Sequence, residues 1–98
     1  MKSRFFSTVA AIALAAPVAA HADTIKIGLL VTQEGVFTVP GTDSIRLFEM
    51  ALKENNNEVA GKKIEWVLGP TDATPDTAVR QARKLIEQDQ VDFIIGPL

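Results

Sequence analysis

Ile25-Lys26-Ile27-Gly28-Leu29-Leu30-Val31 is short, aliphatic and mostly apolar on both faces of an extended chain, as a strand buried inside a parallel sheet should be. Downstream of it, Gly41 to Asn56 places apolar side chains at Ile45, Phe48, Ala51 and Leu52, the spacing of an amphipathic helix. Thr42 or Asp43 can cap its start, Glu49 and Lys53 form an i,i+4 pair on its wet face, and Asn55-Asn56-Asn57 with Gly61 ends it. Lys63 to Leu68 is a second strand, with Ile64, Trp66 and Leu68 alternating and Val67 adding to the apolar share.

The next helix carries the clearest start signal. Thr74 caps it, Pro75 takes the first helical position where a missing N–H costs nothing, and Asp76 lies in the positive first turn. Ala78, Val79, Ala82, Leu85 and Ile86 make its apolar stripe, and Asp76–Arg80 and Arg83–Glu87 are i,i+4 pairs, each worth only tenths of a kcal/mol. Asp92-Phe93-Ile94-Ile95 reads as a third strand, and Gly96-Pro97-Leu98 leaves it. The alternation is βαβαβ, an α/β class. Right-handed crossovers with the first strand central give a parallel three-stranded sheet of order 2-1-3, with the two helices on opposite faces.

Upstream of the first strand the chain reads as an address. Lys2 and Arg4 form a positive start, and Phe5 to Ala16 is apolar apart from Ser7 and Thr8. Pro17 breaks it, and Ala20-His21-Ala22 fits a signal-peptidase site. The apolar run is shorter than the roughly 20 residues that cross a bilayer, so residues 1–22 are expected to be a cleaved signal peptide, with 23–98 released. Export then directs the product to the periplasm. The sequence has no cysteine, which excludes disulfides, thiolate metal sites and a lipid anchor on the new N-terminus.

Cleavage takes Lys2 and Arg4 from the 10 basic residues, leaving 8 against 12 acids, a formal charge of −4. That balance gives no electrostatic reason to expect nucleic acid as a partner. His21 is lost too, and without His or Cys the remainder supplies no Ser-His-Asp triad, no Cys-His pair and no histidine zinc site. The turn after the first strand lacks the glycine fingerprint of a dinucleotide site, and neither a phosphate-cradling P-loop nor a nucleophile elbow occurs. No cofactor and no catalysis are expected.

In open parallel sheets, ligands bind outside the carboxyl ends of the strands, where neighbouring connections leave on opposite faces. That rule points to Thr32–Gly41 after the first strand and to Gly96 onward after the third. The first loop is long for such a connection, and Gly35 and Gly41 give it freedom. Phe37 lies either against a ligand or over the core beneath its own loop; Glu34 either meets a polar group or is a solvated acid. Asp72 either favours the helix start that follows it or faces the same edge. Gly96-Pro97, with Leu98 after it, allows close backbone approach to a ligand.

Taken in order, Ile25-Lys26-Ile27-Gly28-Leu29-Leu30, the Thr32-to-Gly35 turn, and Gly41 opening a helix with Phe48-Glu49-Met50-Ala51-Leu52 resemble type I periplasmic binding proteins. The match is to the leucine/isoleucine/valine-binding family of ABC-transporter receptors. Gly61 to Glu65, Asp72, Pro75 to Leu85, and Asp92 to Leu98 continue the resemblance. It implies that 23–98 is part of the N-terminal lobe of a two-lobed, non-catalytic receptor, which closes on a small solute and delivers it to a membrane permease. The implied ligands are branched-chain amino acids or related small amides and organic acids, contacted at Glu34, Gly35, Phe37, Gly96, Pro97 and Leu98. Glu34 and Val36 depart from the small residue and the proline frequent in the family at those positions. Two other readings stay open: a ligand-sensing regulatory domain of the same fold, and an exported enzyme whose catalytic residues lie elsewhere.

A sheet that stops at Ile95 leaves strand edges bare, and so short a segment buries only about 60% of its unfolded surface. It is therefore expected to be part of a longer lobe. Limited proteolysis of isolated residues 23–98 should degrade them rapidly; a resistant monomer would contradict this.

Overall fold

The computed structural model of the chain describes residues 24–98. The expected signal peptide therefore lies outside the described residues. In chain order the elements are β1 (Thr24–Thr32), a short 3-10 turn (Gly35–Phe37), α1 (Thr38–Glu54), β2 (Glu58–Val59), β3 (Lys62–Thr71), α2 (Pro75–Glu87) and β4 (Phe93–Ile95). The sheet order is β2-β3-β1-β4. Both β3 and β4 run parallel to β1, so the three main strands take the 2-1-3 order expected from the alternating pattern.

The pairing register assigns the two faces. Ile25, Ile27, Leu29 and Val31 lie level with Ile64, Trp66, Leu68 and Pro70, whereas Gly28, Leu30 and Thr32 lie level with Val67, Gly69 and Thr71. On the first face Phe48 of α1 meets Trp66 edge-to-face, with ring centroids 5.5 Å apart, a favoured aromatic geometry. On the second face Leu85 of α2 is fully buried. It fits only because Gly28 and Gly69 have no side chains: a Cβ at either would press on its methyl groups. The two helices thus cover opposite faces. Leu29, Leu30, Val31, Leu52, Ile64 and Leu85 form the buried apolar core.

Four local features differ from the sequence reading. Helix α1 begins at Thr38 rather than Gly41, so Thr42 and Asp43 lie inside it, and Asp43 pairs with Arg46 at 3.1 Å. Pro40 falls in the first turn, where a helix does not use that N–H. The 3-10 turn runs straight into α1, shortening the supposed Thr32–Gly41 loop to a two-residue link plus that turn. Second, β2 was not foreseen: Glu58–Val59 pair antiparallel with Lys62–Lys63. Ala60 and Gly61, with φ of 53° and 76°, form the two-residue turn, whose left-handed geometry suits hairpins. The sheet is accordingly four-stranded, with three parallel strands. Third, β3 runs on through Gly69-Pro70 to Thr71. Fourth, Val79, Ile86 and Ala51, read as facing the core, are exposed; buried contact falls on Leu85 and, partly, Ala78 and Ala82.

The start of α2 is as expected. The Thr74 hydroxyl accepts from the Thr77 N–H, Pro75 is in the first turn and Asp76 follows it. Asp72 adds a second layer, accepting from the Thr74 hydroxyl at 2.6 Å and the Thr74 N–H at 3.0 Å. These bonds favour its ionised form. The Thr74 hydroxyl first, then the Thr77 hydroxyl and the Thr74 N–H, hold its carboxyl at about 2, against an ordinary 3.8. Among the i,i+4 pairs, Arg83–Glu87 stands at 4.0 Å, while Arg80 donates to the Thr77 hydroxyl at 3.2 Å.

Two stability predictions follow from this packing. Leu85→Ala empties the space between Gly28 and Gly69 and should cost about 2–5 kcal/mol in urea unfolding of the purified protein, whereas exposed Val79→Ala should be nearly silent; equal effects would overturn the face assignment. Asp72 has a lowered folded-state pKa, so its stabilisation is complete above about pH 4 and lost as pH falls through about 2. Asp72→Asn should therefore show a shallower loss of thermal midpoint over that interval than the parent, and parallel curves would refute the assignment.

Candidate functional site

The carboxyl ends of β1 and β3, the first turns of both helices and the segment after β4 converge on one edge of the sheet. They enclose a cavity of about 560 Å³, within the range of about 300–1,000 Å³ typical of small-molecule sites. Each wall has a sequence-level cause. At its floor, Thr32 and Thr71 are level in the ladder and buried, with hydroxyl oxygens 3.3 Å apart. On one side stands the first turn of α1, with Phe37, Pro40, Gly41 and Ser44. Gly41 lies so close to β1 that a Cβ there would collide with the Thr32 carbonyl oxygen. On the other side are Thr74, Pro75 and Ala78 of α2.

Pro97 and Leu98 border a third side, and the cavity stays open to solvent. After β4 the chain continues alongside β1: the Leu98 N–H donates to the Leu30 carbonyl at 3.0 Å and the Thr32 N–H to the Leu98 carbonyl at 2.8 Å. Gly96 makes that path possible. Its φ of 126° is left-handed backbone, and a Cβ would fall on the Leu30 carbonyl, so only glycine fits there.

The six residues singled out in the sequence separate into groups. Phe37, Pro97 and Leu98 line the cavity, with Phe37 still 57% exposed, so its ring is available at the rim rather than spent on the core. Gly96 shapes the path without lining it, and Gly35 supplies the positive φ of 82° at the 3-10 turn with nothing packed against it. Glu34 does not face the main cavity. It lines a neighbouring depression of about 260 Å³ with Pro70, Asp72 and Arg80. Thr32 opens the segment to which the topology pointed and Thr71 ends a strand on the same edge, but neither was singled out as a site residue.

Charge at the two helix starts is unequal. Thr74 and Asp72 occupy the start of α2, while α1 has no side-chain cap and no acid in its first turn. The lining of the cavity contains no Lys, Arg, Asp or Glu. The lining is thus uncharged, apolar in the main with a few hydroxyls, as small-molecule sites commonly are. Among the described residues there is no cluster of three or more potential metal-ligating side chains.

Solved structures share this fold, among them three solute-binding or periplasmic binding proteins. An ABC transporter solute-binding protein from Rhodopseudomonas palustris BisB5, in complex with 3,4-dihydroxybenzoic acid, is 38% identical with a TM-score of 0.69, over 74% of this chain and 20% of that one. An ABC transporter substrate-binding protein from Sphaerobacter thermophilus is 31% identical with a TM-score of 0.67, over 72% of this chain and 19% of its own. A periplasmic binding protein from Burkholderia mallei is 28% identical with a TM-score of 0.66, over 76% and 20% of the two chains. This chain therefore spans about a fifth of their length. Among curated proteins, none matches it. The sequence profile described as periplasmic binding protein matches residues 24–98, from the first residue of β1 to Leu98. Profile, strand order and structural likeness agree, and the chain belongs to the periplasmic binding protein family, with the α/β sheet of its type I members.

Proposed function

We propose that the chain is the opening segment of the first lobe of an extracytoplasmic solute receptor serving an ABC importer, and that its ligand is a small organic acid with an apolar body. Branched-chain amino acids fall in that class, and so do aromatic acids. The carrying observation is the cavity of about 560 Å³ at the carboxyl edge of the sheet, apolar in the main and bordered by hydroxyls. The positive ends of both helices face that edge, which favours an acid there. The 3,4-dihydroxybenzoic acid held by the relative from Rhodopseudomonas palustris supports the aromatic branch.

Lys2, Arg4, the apolar run after them and Ala20-His21-Ala22 support export to the periplasm through cleavage after Ala22. The role is binding and delivery to a membrane permease, without turnover. The missing wall of the cavity belongs to a second lobe that closes over the rim at Phe37.

Calorimetric titration of the full-length mature protein with leucine, valine, benzoate and 3,4-dihydroxybenzoate tests this. Saturable binding of at least one acid is expected, with a Kd of about 1 μM or tighter, roughly −8 kcal/mol. Heats indistinguishable from dilution for every acid, alongside tight binding of a sugar or a polyamine, would sink the assignment.

A further inference from the structure

Thr32 and Thr71 form the buried floor of the cavity, and among the described residues their hydroxyls bond only to each other, at 3.3 Å. Each hydroxyl carries one proton and two lone pairs. A bond between them uses one proton, leaving one O–H without an acceptor and lone pairs without a donor. A buried hydroxyl left in that condition carries a desolvation cost that a suitable partner removes. A neutral hydroxyl on the ligand answers both needs, accepting the spare proton and donating its own. A carboxylate answers them poorly, because no cationic side chain lines the cavity to compensate a charge taken to its floor. The favourable place for the carboxylate is the rim at the start of α1, where no acid stands in the first turn.

We propose that the Thr32–Thr71 hydroxyl pair is a specificity determinant that reads a hydroxyl group on the ligand, so that the receptor prefers hydroxylated acids over their unhydroxylated counterparts. This rests on the receptor reading given above and adds to it which end of the solute enters first. Phe37, Pro75 and Pro97 then flank the apolar body between its two polar ends.

Matched ligand pairs on the full-length mature protein test it. Benzoate against 4-hydroxybenzoate adds a hydroxyl to a ring, and valine against threonine replaces a methyl by one. In at least one pair the hydroxylated member should bind about tenfold more tightly, the value of one well-made hydrogen bond in a buried site. Thr71→Val and Thr32→Val should each bring that ratio close to one, and Thr71→Ser should restore the preference. A parent protein indifferent to the hydroxyl overturns the proposal without any variant, as does a Val variant that weakens both members of a pair equally while melting like the parent. A parent that binds none of these four acids, nor leucine nor 3,4-dihydroxybenzoate, overturns the receptor reading and this inference with it, so the two failures are distinct.

Discussion

β1 hydrogen-bonds in parallel to β3 on one side and to β4 on the other, and nearly every other feature depends on that double pairing. Parallel partners bring three carboxyl ends to one edge, and right-handed crossovers send α1 and α2 to opposite faces. The chain leaving β1 turns into α1 while the chain leaving β4 runs on beside β1, and the cavity lies where these segments meet the carboxyl end of β3. At the opposite end, the Asp92 N–H donates to the Lys26 carbonyl and the Lys26 N–H to the Asp92 carboxylate, at 2.7 and 2.8 Å. Those two bonds set the register of a strand only three residues long. A one-residue slip would turn Ile94 and its neighbours to the wrong faces.

Close approach is the second constraint, and glycine satisfies it at each contact. On the α2 face the absent side chains of Gly28 and Gly69 make room for Leu85, which has no exposed surface. At the cavity edge Gly41 lets the first turn of α1 rest on the Thr32 carbonyl, and Gly96 lets the outgoing chain rest on that of Leu30. The same backbone that fills the core thereby shapes the cavity walls, so the site inherits the rigidity of the sheet rather than the freedom of a loop.

Periodicity made the fold legible because each parallel strand is a run of apolar residues and each helix keeps its 3.6-residue stripe. The alternation alone implied strand order and helix faces, and Thr74-Pro75-Asp76 marked the start of α2 to the residue. Boundaries failed where two local signals compete. Pro40 looked like a loop residue but is a first-turn proline, and Gly61 looked like a helix stop but is half of a hairpin turn. Val79 and Ile86 were read as core because an apolar side chain on a helix says nothing of how wide the buried stripe is; three parallel strands leave that part of α2 uncovered. Of the site, the rim was legible from topology, and Phe37, Pro97 and Leu98 do border the cavity. The floor was not. That Thr32 and Thr71 touch across 39 positions of sequence depends on strand register, which no local pattern reports.

The two helix starts that meet at the cavity are answered in different ways. Both helices present their positive ends to the same edge. At α2 the positive end is answered within the chain: Thr74 caps it, Asp76 lies in its first turn, and Asp72, held ionised by the Thr74 and Thr77 hydroxyls, stands just before it. At α1 no side chain caps, but the 3-10 turn that leads into it takes the Thr38 N–H on the Gly35 carbonyl, and Glu34 stands just before that turn. The two starts therefore differ in kind: side chains answer the donors of α2, whereas the turn before α1 takes the first donor of α1, and the floor between them is uncharged.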